Sequence, residues 1–203
     1  MFVSEHKKYI FGYPDGSIRP NESITRAEIA SIFYKLLDDG VREYFMSHDN
    51  PYPDTDKESW YNNAVSTISK LNILIGDENG EFKPDEAITR AELAAVAARF
   101  ARMSQITPYK KERFGDIEGH WAEDDINYMA SAGWIDGYNE VEYSPERHVT
   151  RAEAISLVNR IFNREHELNG EERASLGSYW HDNADPNAWY YNEIIEASVS
   201  HIK

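Results

Sequence analysis

The chain has 203 residues, no cysteine, and 36 acidic against 21 basic side chains, for a net charge of −15. Disulfides, thiol nucleophiles and cysteine-bound metals are excluded, and a field of that sign argues against nucleic acid and anionic membranes as partners. With 41% hydrophobic and 13% aromatic residues, the chain is long enough for one core, or for three small units sharing one.

The opening Met1-Phe2-Val3-Ser4-Glu5-His6 does not read as a signal peptide, and no apolar run approaches the length of a membrane span. A repeat pattern is under way by Tyr9, so the chain is expected to be cut from a longer polypeptide. From Lys8 to Pro20 short extended pieces flank a turn at Pro14-Asp15-Gly16. A helix is predicted from Arg26 to about Leu37, stopped by Asp38-Asp39-Gly40, with a charged linker to residue 51 carrying a helical turn at Val41–Phe45. Tyr52-Pro53-Asp54 opens a second element, in which Trp60 starts a helix burying Ala64, Val65, Ile68 and Leu71. Gly76 to Pro84 then aligns with Gly12 to Pro20 without a gap, and another helix runs from Arg90 to about Ala101.

After a basic linker the cycle repeats. Phe114-Gly115-Asp116 and Trp121 precede a helix burying Ile126, Met129 and Ala130, and Gly137 opens a third loop that leads to a helix from Arg151 to near Asn163. Val141 stands there in place of the second Gly of the other loops. A β-branched residue tolerates positive φ poorly, so this loop must turn differently. A charged linker over 164–178 leads to Trp180-His181-Asp182, Trp189 and a last helix carrying Ile194, Ile195, Ala197 and Val199.

The same four letters open three of these helices: Thr25-Arg26-Ala27-Glu28, Thr89-Arg90-Ala91-Glu92 and Thr150-Arg151-Ala152-Glu153. A tetrapeptide present in triplicate marks a repeat protein. Thr is the predicted N-cap and Glu the third helical residue, reaching back to the N-cap N–H, so both have a structural reason. Arg has none, because a cation in the first turn opposes the helix macrodipole at a cost of about 0.3–1 kcal/mol. Two readings of Arg26, Arg90 and Arg151 stand: a guanidinium that joins free helix N-terminal amides in holding an anion, or a partner for a nearby carboxylate.

Aromatic-x-Asp, a Trp that opens a helix, Gly-x-x-x-Gly-x-aromatic-x-Pro and Ile-Thr-Arg-Ala-Glu together resemble the S-layer homology domain. Tyr52–Phe100 and Phe114–Phe162 follow that pattern from end to end. The resemblance implies an all-α fold, a pseudo-threefold bundle of three repeats with grooves between neighbours. It divides the single module, 1–203, into a half repeat with linker over 1–51, whole repeats at 52–101 and 114–162, and a half repeat at 179–203 expected to pair with 1–37. It also implies an extracellular, monomeric module of a larger surface protein. Its expected partner is a secondary cell-wall polysaccharide, often pyruvylated, bound in the grooves without turnover. A pyruvate ketal offers one carboxylate, which suits the anion reading of the arginines.

Trp60, Trp121 and Trp189 could stack on sugar rings, but each starts an amphipathic helix and core packing is the preferred reading. Asp54, Asp116 and Asp182 could bond sugar hydroxyls or cap the turn or helix that follows. No metal or cofactor is expected. An EF-hand loop would need an acid where Phe11 and Ile75 stand, and His166-Glu167 lacks a second His in zinc spacing. A protein-binding repeat module and, more remotely, a glycan-processing enzyme are the alternatives. Features present in triplicate argue against the enzyme, since an active site is normally unique.

Overall fold

The computed structural model describes residues 5–103, 114–164 and 180–202. Among them the chain forms seven helices: α1 Arg26–Leu36, α2 Asp39–Phe45, α3 Asn62–Lys70, α4 Arg90–Arg102, α5 Glu123–Ser131, α6 Arg151–Ile161 and α7 Tyr191–Ser198. Two-residue strands, β1 Glu5–His6 and β2 His201–Ile202, pair antiparallel with Glu5 opposite Ile202. The fold is all-α. No helix among the described residues is long and apolar enough to cross a membrane.

All three predicted capping boxes are present. The hydroxyls of Thr25, Thr89 and Thr150 accept from the N–H groups of Glu28, Glu92 and Glu153, and those glutamates accept in return from the threonine N–H groups. The helices then bury the periodic residues that follow, among them Ile29 and Phe33 in α1, Val96 and Ala97 in α4, and Ile155 and Val158 in α6. α2 begins two residues earlier than predicted. Asp38, read as part of a stop signal, is its N-cap, accepting from the Gly40 N–H at 3.0 Å.

The chain divides into two units, one spanning Ile24–Val149 and one joining Val3–Ser23 to Thr150–Lys203. Within the first, the residues before the three threonines close a ring of backbone hydrogen bonds. Ile24 N–H donates to Val149 O at 3.0 Å, Val149 N–H to Ile88 O at 3.1 Å, and Ile88 N–H to Ile24 O at 3.0 Å. All three side chains are buried. One equivalent residue from each repeat thus meets the other two with its polar backbone satisfied, as a buried loop-to-helix junction requires.

Each capped helix packs on the next Trp-led helix in the chain: α1 on α3, α4 on α5, and α6 on α7. Between the segments expected to pair, 179–203 and 1–37, the contacts run from Trp180, Asp182 and Ala197 to residues 9–19, while α7 packs on α6 and α1 on α3. In the second unit the closing segment meets the opening loop. Tyr9 and Ile10 N–H groups both donate to Ala197 O, at 3.1 and 3.2 Å, and the buried Tyr9 hydroxyl donates to Asn159 Oδ1 on α6 at 2.7 Å.

Candidate functional site

Each of the three loops is gripped by an Asp and an Arg at one and the same residue. Asp54 accepts from Phe82 N–H at 2.9 Å and Lys83 N–H at 2.6 Å, while Arg26 Nε donates to Phe82 O at 2.7 Å. Asp116 takes Tyr143 and Ser144 N–H groups at 2.8 and 2.7 Å, and Arg90 Nε reaches Tyr143 O at 2.8 Å. Asp182 takes Ile18 and Arg19 N–H groups at 2.8 and 2.7 Å, and Arg151 Nε reaches Ile18 O at 2.8 Å. Lys83, Ser144 and Arg19 all have positive φ, between 54° and 60°, immediately before a proline. That conformation is disfavoured for side-chain-bearing residues, and the twin carboxylate bonds hold it. The aspartates therefore neither cap the turn that follows nor await a ligand in the first instance: they set the loops.

The first glycine of each loop has a matching reason. A Cβ on Gly12, Gly76 or Gly137 would lie 2.1, 2.6 or 2.4 Å from the ring of Trp180, Tyr52 or Phe114, the aromatic residue that opens each aromatic-x-Asp. The second glycine answers to φ: Gly16 and Gly80 sit at +79° and +77°. Val141 is not among the positive-φ residues, and its N–H donates to Asn139 Oδ1 at 2.9 Å, where Gly16 and Gly80 donate to the backbone carbonyls of Tyr13 and Asp77. The third loop turns differently, as its sequence requires.

The anion argument for the arginines loses its premise. The first-turn amides are already used: Arg26 and Ala27 N–H groups donate to Glu86 O and Pro84 O, Arg90 and Ala91 to Arg147 O and Pro145 O, and Arg151 and Ala152 to Glu22 O and Pro20 O, all within 3.0 Å. The guanidinium groups are committed as well. Arg26 Nη1 donates to Glu92 Oε1 at 2.5 Å and Nη2 to Ile75 O at 2.9 Å; Nη2 of Arg90 and of Arg151 reach Asp136 O and Phe11 O at 2.8 and 3.1 Å. Arg26 and Arg151 are only 6% and 2% exposed. These cations donate to main-chain carbonyls, and Arg26 also pairs with the Glu92 carboxylate. Tyr143, against Arg90, has its hydroxyl pushed up to about 12, mainly by burial.

The tryptophans also depart from expectation. Trp60, Trp121 and Trp189 are 70%, 61% and 60% exposed, so core packing is overturned. Each helix begins two residues after its Trp, at Asn62, Glu123 and Tyr191, so the indole precedes the buried face and stays on the surface. Trp60 and Trp189 meet the following tyrosine edge-on, with ring centroids 5.4 and 5.5 Å apart.

In the first unit, Trp121 and Arg26 line one cavity of about 620 Å³. Its floor runs along α4 through Thr89, Glu92, Val96 and Arg99, and Lys83 and His148 face it from the loops. This volume suits a small polar ligand. Lys83, Arg99 and His148 were not singled out from the sequence. The available signal was the recurrence of a cation nine residues after each tripled Arg, at Lys35, Arg99 and Arg160. Of the residues predicted to form a site, Trp121 and Arg26 share this cavity, whereas Trp60 and the aspartates do not line it.

Loops set by aspartate and arginine, aromatic rings seated on glycines and boxed helix starts, each three times over, define a repeat module. The family model of the S-layer homology domain matches residues 3–30, 51–94 and 113–155, more than half of the chain. The chain belongs to this family. It is 34% identical, over 97% of its length, to cell surface glycoprotein 1 of Acetivibrio thermocellus, covering 9% of that protein. It is 33% identical over 98% of its length to the cellulosome-anchoring protein of the same organism, covering 44% of it, and 30% identical over 75% to an S-layer protein of Bacillus licheniformis, covering 17%. The chain thus spans less than half the length of these relatives. Family and relatives place it at the cell surface, as an anchoring module.

Proposed function

We propose that the module anchors its parent protein non-covalently by binding a secondary cell-wall polysaccharide, including one bearing pyruvate ketals, in grooves between repeats, without turnover. The observation that carries this reading is Trp121, 61% exposed on the wall of a cavity beside α4 that is mostly apolar, with Lys83, Glu92 and Arg99 among its polar groups. An indole in water at the edge of a cavity is what a sugar ring requires, an apolar face flanked by hydrogen-bonding groups. Trp60 and Trp189 present the same exposed indole in their repeats. Arg26, Arg90 and Arg151, with Asp54, Asp116 and Asp182, support binding by fixing the loops, and Arg26 additionally faces the cavity.

The test is retention on purified wall sacculi, before and after removal of the non-peptidoglycan polymer. Retention is expected only while the polymer is present, and Trp121→Ala is expected to weaken it about tenfold, the scale of a buried aromatic contact. Equal retention on stripped sacculi would refute the reading, and retention on protein-containing walls alone would point to a protein partner.

A further inference from the structure

The three exposed tryptophans do not share one kind of neighbour. Trp60 and Trp189 meet the tyrosine that follows each of them, Tyr61 and Tyr190. After Trp121 the chain has Ala122, and the aromatic contact comes from the residue before it, His120, whose ring centroid lies 5.5 Å from the indole at a tilt of 36°. The other two repeats carry Ser59 and Ala188 at that place. Of the three indoles, the one on the cavity wall leans on a titratable ring.

Both nitrogens of His120 are bonded. Nδ1 accepts from the Ala122 N–H at 3.1 Å, and since an amide N–H can only donate, this fixes a neutral imidazole with its proton on Nε2. Nε2 then donates to Glu146 Oε1 at 2.9 Å. Ala122 is the N-cap of α5, and Glu146 lies on the same cavity wall as Trp121. One imidazole thus ties the start of α5, the indole and the third loop together.

We infer that His120 is a positioning residue for Trp121, holding the indole in its binding pose while the imidazole is neutral and releasing it on protonation. A proton on Nδ1 removes the acceptor of the Ala122 N–H, and Ala122 is 0% exposed, so no solvent replaces it. The Nε2 bond to Glu146 exists in both states, and the added charge gains little there, because the Glu146 side chain is 75% exposed. The other titratable and charged groups around the ring are Asp116, Glu118 and Glu123 on its own segment, Arg147 and His148 beside Glu146, and Lys83 and Glu86 across the cavity. Their charges do not alter which state of the ring accepts from Ala122. The pose is therefore present at neutral pH and lost as pH falls through the range in which imidazole titrates, about pH 5 to 8. This rests on the reading of Trp121 as a sugar platform and adds a regulation to it: the groove beside α4 weakens in acid, while the tyrosine contacts of Trp60 and Trp189 do not titrate there.

The experiment reads pose and binding separately. Indole N–H resonances of the isotope-labelled full chain, with Trp121 assigned through Trp121→Phe, are followed from about pH 8 to about pH 5. The Trp121 signal is expected to move in step with the His120 ring protons. In His120→Asn it is expected to stay fixed, because Oδ1 takes the place of Nδ1 as an acceptor that does not titrate; in His148→Asn the movement is expected to remain. Retention on polymer-bearing sacculi is measured over the same range. The unmodified chain is expected to lose up to about tenfold, the effect assigned to losing the indole itself, with His120→Asn level across the range and His120→Ala weak throughout. A Trp121 signal that does not follow His120 in the unmodified chain overturns the proposal whatever the variants do, as does a movement that survives His120→Asn or disappears in His148→Asn. Polymer-dependent retention that stays level in acid while the signal moves overturns the link to binding. If retention does not depend on the polymer but the signal moves as expected, the glycan reading falls and the positioning of Trp121 by His120 stands.

Discussion

Replacing Arg26 with Met tests whether the first-turn arginine is a structural member. Read from the helix alone, the change should be neutral or slightly favourable, because it removes a cation from the positive end of the macrodipole, a gain of about 0.3–1 kcal/mol. The structure predicts the opposite. Arg26→Met deletes a 2.7 Å bond to Phe82 O and a 2.9 Å bond to Ile75 O, each charge-assisted and worth about 1.5–3 kcal/mol. The Glu92 pair adds about 1 kcal/mol at most, since that carboxylate is 30% exposed and can rehydrate. Met fills the volume of the stem but leaves the carbonyl of the fully buried Phe82 short of a donor. After the macrodipole relief, the net cost is about 3–5 kcal/mol, or a fall in melting temperature of about 6–20 °C for a chain of this size. Circular dichroism melts of Arg26→Met beside Arg99→Gln give the comparison, since Arg99 has a single 3.5 Å bond to lose. If Arg26→Met melts within about 2 °C of the unmodified chain, the main-chain grip does not hold the loop and the reasoning fails.

Two further predictions follow from the same contacts. Tyr143 has a folded pKa of about 12 against an ordinary 10.0, so its contribution is fully present below about pH 10 and is lost as pH rises toward 12. Melting temperature should fall across that interval, and less steeply in Tyr143→Phe, which at neutral pH gives up only the 3.1 Å donation to Arg90 O; parallel curves for the two proteins would contradict this. Deleting residues 180–203 removes α7 from α6 and the Asp182 grip from Ile18 and Arg19. Hydrogen exchange should then accelerate in Tyr9–Ser23 and Arg151–Ile161 while α1, which packs on α3, keeps its protection; unchanged exchange in Tyr9–Ser23 would refute the terminal contact.

What was legible in the sequence was what is decided locally. Thr25, Thr89 and Thr150 cap helices because hydroxyl, amide and glutamate lie within four consecutive residues, and Val141 announced a different turn because φ is a property of one residue. The carboxylate reading of Arg26 holds at Glu92, but the grip of Asp54 and Arg26 on the loop was not legible because its partner is remote: Phe82 lies 28 residues from one and 56 from the other, and no periodicity reports a side chain that reaches a distant main chain. Trp60, Trp121 and Trp189 were misread for another reason. Each was read as opening its helix but stands two residues before the helix begins, in a turn that the apolar pattern of the helix does not reach.

The main-chain roles of the Asp and Arg residues also bear on how the repeats differ. Of the letters that recur in all three repeats, Asp, Arg, Thr and Glu are absorbed into loop-to-helix joints, Asp to N–H, Arg to carbonyl, Thr to Glu, while the recurring Trp stays on the surface. Differences between the loops come from letters that change from repeat to repeat on the same scaffold. The residue held at positive φ is Arg19 in one loop, Lys83 in the next and Ser144 in the third, and their surroundings differ accordingly. Arg19 donates to Asp15 and lies 3.9 Å over the Tyr13 ring, Lys83 pairs with Asp77, and the neutral Ser144 donates to Glu142. One backbone geometry thus presents two cations, each with a different set of neighbours, and one neutral hydroxyl, so the three loops differ in charge and contacts without any change of fold.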